Sequence, residues 1–256
     1  MPATTRLTQF RRAVSGETIK ATTTHTLALS LLAATAVCAV TAFSFAGLEK
    51  VAEAESVSPL PAASMGYALI FAAVPVLLIW AAHLVLGELR NGMLRETYRA
   101  VPNRGTVLRA KMLVAVTISV ASAAALWIIC HLVNTVVLGR PDILTYIVSL
   151  DGLGLLARLS LVIACWSIIA VAAASLLRSL PLTLGILLPL YLFLEAYLLE
   201  IDGLGYFLPF ASGKAFIPEI ADVSLSSPAL AGAGQVLVTI VIAAIAWMVA
   251  LRRDAS

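Results

Sequence analysis

Six apolar stretches, each close to the length needed to cross a lipid bilayer, constrain the fold of this chain more than any other feature. A helix that rises 1.5 Å per residue needs roughly 20 residues to cross the hydrocarbon. Only 12% of the residues are charged, about half the share found in a soluble domain, so the chain cannot cover a water-facing surface. The sequence therefore predicts an all-α polytopic membrane protein with six transmembrane helices, over about 25–46, 67–86, 110–133, 153–177, 181–199 and 229–251.

The distribution of basic residues predicts which side of the membrane each end faces. With the N-terminus inside, thirteen arginines and lysines fall on cytoplasmic segments and three on outer loops, leaving aside Arg158 within the fourth stretch. Cytoplasmic loops carry such an excess. We therefore predict that both termini are cytoplasmic (N-in, C-in), with segment 1–24 and tail 252–256 flanking a transmembrane domain over 25–251. Topology explains the basic excess, so nucleic acid is not an expected partner.

The N-terminal segment is predicted to form a helix that lies in the cytoplasmic interface. Its apolar residues fall roughly on one helical face: Leu7, Phe10, Val14 and Ile19. Its polar side is basic and includes Arg11, Arg12 and Lys20. This pattern is typical of an interfacial amphipathic helix, and the alternative is a disordered basic tail.

The long link between the fifth and sixth stretches, 200–228, is too apolar to float freely in water. It is predicted to form two re-entrant outer helices, separated near Ser212 and Gly213. Gly213 and Lys214 superficially resemble a phosphate-binding loop, but Leu208 and Ala215 stand where that motif needs Gly and Ser or Thr. The chain is therefore not expected to bind ATP by itself.

The cysteines and the charges inside the stretches have structural interpretations. Cys38, Cys130 and Cys165 lie in separate apolar runs and are predicted to be buried small residues, with no disulfide and no metal site. Arg158 and Glu195 lie at similar depth toward the outside, so an ion pair between them is one hypothesis. The alternative is that each side chain reaches the outer interface separately.

The longest polar run within the apolar part of the chain, 87–110, carries a spaced pattern that topology alone does not explain. Its members are Glu88, Gly92, Thr97, Pro102 and Arg104, with Lys111 opening the third stretch. An acid and a base, Glu17 and Lys20, also precede the first stretch, and the piece FLPFASGKAF lies in the outer link. In this order and spacing the chain resembles the membrane subunit of ABC-2 type (type V fold) ATP-binding-cassette exporters, along nearly its whole length.

The resemblance implies a permease subunit that is not itself an enzyme and holds no cofactor. A separate ATPase subunit would bind ATP and Mg, and would dock on the coupling loop 87–110. The residues implied in coupling are Glu88, Gly92, Met93, Leu94, Thr97 and Tyr98. A second permease copy, identical or related, and a location in a bacterial plasma membrane are also implied. The alternative from another class is a membrane protein with a structural or regulatory role and no transport path.

Overall fold

The computed structural model describes residues 3–54, 73–194, 198, 203–217 and 227–252, and every regular element in these ranges is helical. The α-helices are α1 (Ala3–Thr23), α2 (His25–Ala54), α3 (Val74–Arg90), α4 (Leu94–Ala100), α5 (Arg104–Leu138), α6 (Asp142–Ile147), α7 (Leu150–Leu177), α8 (Leu180–Pro189), α9 (Ala211–Ala215) and α10 (Pro228–Arg252). A π-helical turn, Leu190–Leu194, continues α8, and a 3₁₀ turn, Leu204–Phe207, precedes α9.

Four of the described helices, α2, α5, α7 and α10, are long and apolar enough to cross a membrane. The pair α3 and α4, bent by 90°, passes the same test as one unit and brings the number to five, while α8 with its π-helical turn is shorter. The prediction of an all-α protein with several membrane-spanning helices is confirmed. The number six stays a prediction, and Tyr67 to Ala72, predicted within the second span, lie outside the described residues.

Helix α7 forms the centre of the bundle and packs against α3, α5 and α10, whereas α2 packs mainly on α5. Three tryptophans, Trp80 of α3, Trp127 of α5 and Trp166 of α7, are among the largest fully buried side chains. Aromatic side chains of this size contribute the largest share of buried apolar area in such a core. By contrast, most of α2 and α10 faces outward, as expected of helices whose apolar surface meets lipid.

Helix α5 begins at Arg104, six residues before the predicted start of the third span. Asn103 caps its N-terminus, because the Asn103 side chain accepts a hydrogen bond from the Thr106 amide at 3.1 Å. Its 35 residues make it roughly 52 Å long, so it extends beyond the hydrocarbon. The polar run 87–110 consequently contains the end of α3, the short helix α4 and the first turns of α5.

The prediction that the three cysteines are unpaired is wrong for two of them. Cys38 of α2 and Cys130 of α5 form a disulfide, while Cys165 is a buried thiol. Ninety-two residues separate the paired cysteines in sequence, and only the side-by-side packing of α2 and α5 brings them together. The disulfide covalently fixes α2, the more exposed helix, to the core.

Where the sequence predicts two re-entrant outer helices, the described part of the link contains a 3₁₀ turn and the short helix α9, and the predicted separation near Ser212 and Gly213 is wrong. The re-entrant position at the outer face stays a prediction. Both residues lie inside α9, and the break falls between Phe207 and Ala211. The absence of a side chain at Gly213 allows close packing against α7, and Gly213 does not form a turn. A Cβ at this position would lie 2.9 Å from side-chain atoms of Trp166 and Val162.

Polar contacts hold the described segment 203–217 against the bundle. Trp166 Nε1 donates to the Pro209 carbonyl at 2.9 Å, and Ser212 Oγ lies 3.0 Å from Gln235 Oε1. Lys214 Nζ donates to the Tyr191 carbonyl in the π-helical turn at 2.8 Å, and lies 4.5 Å from the Tyr191 ring centroid. Lys214 therefore has a structural role that differs from that of the lysine in a phosphate-binding loop.

Candidate functional site

Helix α1 packs on α5 through one face. This face carries the predicted residue Glu17 into the protein, with Lys20 at its edge. Its buried positions, Ala13, Glu17 and Ala21, recur every four residues, which places them on one side of a helix. Phe10 and Val14 add apolar contact with Val101 and Val107. The predicted apolar face is thus partly wrong: Leu7 and Ile19 are exposed.

The predicted basic residues of α1 separate into two groups. Arg11 and Arg12 are exposed, as predicted for the polar side. Lys20 is instead turned toward the bundle, since its side chain is only 32% exposed. Because a long charged side chain on a surface helix normally extends into water, the position of Lys20 requires partners inside.

The partners form a cluster of four charged residues, here called the ion cluster: Glu17 and Lys20 of α1, Glu88 of α3 and Lys111 of α5. Lys111 Nζ lies 2.6 Å from Glu17 Oε2 and 2.9 Å from Glu88 Oε2. Lys20 Nζ lies 3.0 Å from Glu17 Oε1 and 2.6 Å from Glu88 Oε1. Each lysine therefore bridges both glutamates, and each carboxylate oxygen faces one ammonium group.

Burial gives the two lysines different roles. The Lys111 side chain is 3% exposed, and its Nζ also donates to the Leu84 carbonyl at 3.1 Å, which provides a third partner for its ammonium group. Lys20, near the surface, donates to Thr97 Oγ1 at 2.9 Å. The cluster is electrically neutral, and burying it is tolerable only while all four charges are present, because one unpaired buried charge is costly.

The environment of Lys20 keeps this residue charged. Burial by itself would lower the pKa of Lys20, but the hydrogen bond to Glu88 and the charge of Glu17 outweigh it. The pKa is therefore raised above the ordinary value of 10.5. At neutral pH the hydrogen bonds from Lys20 to the carboxylates and to Thr97 are charge-assisted, the stronger class of hydrogen bond.

Helix α4 is joined to the ion cluster by Thr97 and is turned sharply away from α3. The turn depends on Gly92, whose φ of +70° lies in the left-handed region that L side chains rarely adopt. Met93, at the start of α4, is 47% exposed. Leu94 and Tyr98 face inward and line a small cavity, so Met93 is the exposed member of the three apolar residues predicted for docking.

The structure thus brings three residues of the predicted coupling pattern, Glu88, Thr97 and Lys111, together with the predicted pair Glu17 and Lys20. The sequence predicts Lys111 at the start of the third span and does not indicate its partner. The sequence feature that indicates a buried partner is the lysine itself, because a charge within an otherwise apolar helix needs a counter-charge.

The predicted pair of Arg158 and Glu195 stays a prediction. Arg158 is half-buried in α7, and Glu195 lies outside the described residues. Within the part of the chain that the structure describes, no group of three His, Cys, Asp or Glu side chains is arranged to hold a metal ion.

The chain matches no protein-family model, no curated protein and no solved structure. A function for this protein has to be inferred from its own residues and their geometry.

Proposed function

We propose that this protein is the membrane-spanning permease subunit of an ATP-binding-cassette exporter, driven by a separate ATPase subunit. The observation that carries the proposal is the ion cluster, which ties the short helix α4 to α1, α3 and α5 through Thr97 and four charged side chains. A partner that moves α4 would move these three helices with it. That is the mechanical property a coupling element needs.

The surface of α4 fits a docking role. Met93 is an exposed apolar residue, and Arg95, Glu96 and Arg99 around it are exposed and charged. An apolar anchor inside a polar rim is the usual composition of a protein interface. The ATPase subunit would supply the bound ATP and Mg, since the sequence of this chain has no phosphate-binding loop.

The same proposal includes six spans with both termini in the cytoplasm, a second permease copy, identical or related, and a bacterial plasma membrane. The basic residues of α1 and of 87–111, together with Arg252, support this orientation. A C-terminal alkaline phosphatase fusion is expected to be inactive and a C-terminal green fluorescent protein fusion to be fluorescent. The reverse pattern would exclude the C-in topology.

Co-purification with candidate ATPase subunits, followed by ATP hydrolysis in lipid vesicles, tests the central claim. We expect an ATPase to associate and its hydrolysis to be altered by this chain. Glu88→Gln is expected to uncouple hydrolysis from transport while the protein still inserts. The matched control is Glu96→Gln on the same loop, because Glu96 is 71% exposed and its ion pair in the described part of the chain is with exposed Arg99.

The alternative is a membrane protein with a structural or regulatory role and no transport path. If no ATPase associates, the permease proposal fails and the alternative is favoured. If an ATPase associates but Glu88→Gln and Glu96→Gln behave alike, the permease role stands and the coupling role of the ion cluster is lost.

A further inference from the structure

The two glutamates of the ion cluster and Glu96 pair with cations, and two arginines at the same end of the bundle have no carboxylate partner among the described residues. Glu17 and Glu88 pair with lysines, and Glu96 pairs with Arg99. Arg104 and Arg178 are half-buried and form no ion pair with any described carboxylate. A partly desolvated guanidinium without an anion is an unfavourable arrangement that an anionic ligand would relieve.

Both arginines line one cavity, whose volume is about 40 Å³. Tyr98, Lys111 and Ser175 complete its polar lining, and Arg104 Cζ lies 5.3 Å from the Tyr98 ring centroid. A space of this size holds a few water-sized groups, which suits the oxygens of one phosphate. Arginine is the side chain best matched to phosphate, because its planar fork donates two parallel hydrogen bonds.

A second, open groove of about 1020 Å³ lies beside the cavity, and Arg104 lines both. The groove runs between α1, the start of α5 and the end of α10. Half of its lining residues are apolar, including Phe10, Trp247 and Leu251, and half are polar, including Thr106 and Arg109. Trp247 packs closely against α5, since a Cβ at Gly105 would meet its indole ring.

We propose that this cavity and groove bind an anionic phospholipid, with the headgroup phosphate between Arg104 and Arg178 and an acyl chain along Trp247. Basic pockets between the ends of membrane helices take up lipid headgroups in this way. A carboxylate from a docking protein would satisfy the arginines, but it would leave the apolar side of the groove beside them uncovered. A phosphate-sized cavity that shares Arg104 with a partly apolar groove therefore favours a lipid, which has both an anionic headgroup and acyl chains.

Quenching of tryptophan fluorescence by brominated acyl chains tests the proposal on the full chain. Trp80, Trp127 and Trp166 are at most 1% exposed, whereas Trp247 is 40% exposed, so the quenchable signal should come from Trp247. In phosphatidylcholine vesicles, brominated phosphatidylglycerol is expected to quench more strongly than brominated phosphatidylcholine at equal content. Trp247→Phe should remove this difference, which confirms the reporter.

The decisive variants remove the two arginines. Arg104→Gln and Arg178→Gln should each lower the preference for phosphatidylglycerol by about fivefold, and the double variant should abolish it. The matched control is Arg90→Gln with Arg95→Gln, which removes the same charge from exposed positions on the same side and should keep the preference. The thermal midpoint of each variant checks that it is folded. If the double variant does not fold, the two single variants are compared with wild type instead.

Three results would overturn the proposal. The first is an unchanged lipid preference in both single variants and the double variant. The second is reversal of quenching by soluble glycerol phosphate, which would make free phosphate the ligand. The third concerns the Arg104→Gln and Arg178→Gln double variant: it keeps the lipid preference but no longer co-purifies with a protein that wild type binds. That result would assign the arginines to a protein contact.

Discussion

Lys111 Nζ lies 2.6 Å from Glu17 Oε2, although 94 residues separate the two in sequence. The contact joins the N-terminal helix to a lysine two turns inside the longest helix of the described chain. Helix α1 is therefore held against the bundle by a buried charge pair as well as by its apolar face. Any displacement of α1 along α5 would have to break this pair.

Removal of the Lys111 charge is expected to destabilise the protein strongly. In Lys111→Met, Lys20 would be the one cation left in the ion cluster for the two buried carboxylates of Glu17 and Glu88. Breaking a buried pair in this way costs about 3–5 kcal/mol. The thermal midpoint in detergent measures the effect. The matched control is Lys50→Met, because Lys50 is exposed and its loss should change stability by less than about 0.5 kcal/mol. Equal midpoints for the two variants would contradict the importance of the ion cluster.

Gly92 is expected to resist substitution because of its backbone conformation alone. No atom lies within 4 Å of the position that a Cβ would take, but its φ is +70°. Gly92→Ala should therefore cost about 1–2 kcal/mol without a clash. Gly154→Ala in α7 is the control, since that position is equally open and has no positive φ. It should be neutral or stabilising by up to about 1 kcal/mol.

The cysteine pairing predicts a simple thiol count. Unfolding without a reductant should expose one alkylatable thiol, that of Cys165, and unfolding with a reductant should expose all three cysteines of the chain. Mass spectrometry after alkylation gives the number directly. Cys38→Ser should leave both Cys130 and Cys165 reactive without a reductant, whereas Cys165→Ser should leave none. Three reactive thiols in the unreduced wild type would show that α2 is not covalently fixed.

Lys20 sets a pH dependence that appears only under alkaline conditions. Its pKa in the folded protein is raised above 10.5, so the folded state holds this proton more tightly than the unfolded state does. The contribution of Lys20 to stability is therefore complete below about pH 10 and is lost as the pH rises through the raised pKa.

The difference in thermal midpoint between wild type and Lys20→Met measures this contribution. The difference should stay constant from about pH 7 to about pH 10 and should shrink above that range. A difference that already shrinks between about pH 6 and pH 8 would assign the stabilisation to a group other than Lys20.

The helical, membrane-spanning character of the protein could be predicted from the sequence, because it depends on local properties. A run of apolar residues excludes itself from water wherever it stands in the chain, and its backbone must then form its hydrogen bonds internally. The sequence likewise predicts α1 and α7 near their observed positions. It missed the start of α5 at Arg104, since a capping residue such as Asn103 was hidden in a polar run.

The amino-acid sequence is sufficient to indicate most of the helices and the residues able to pair, including Glu17, Lys20, Glu88 and Thr97 as parts of a spaced pattern. Which of these residues meet depends on tertiary packing. Only the packing of α1 on α5, next to the end of α3, encloses Lys111 with two carboxylates, and only the packing of α2 on α5 joins Cys38 to Cys130. The reason is that a charge or a thiol requires a partner of a given chemistry but does not encode the partner's position, which depends on how whole helices pack.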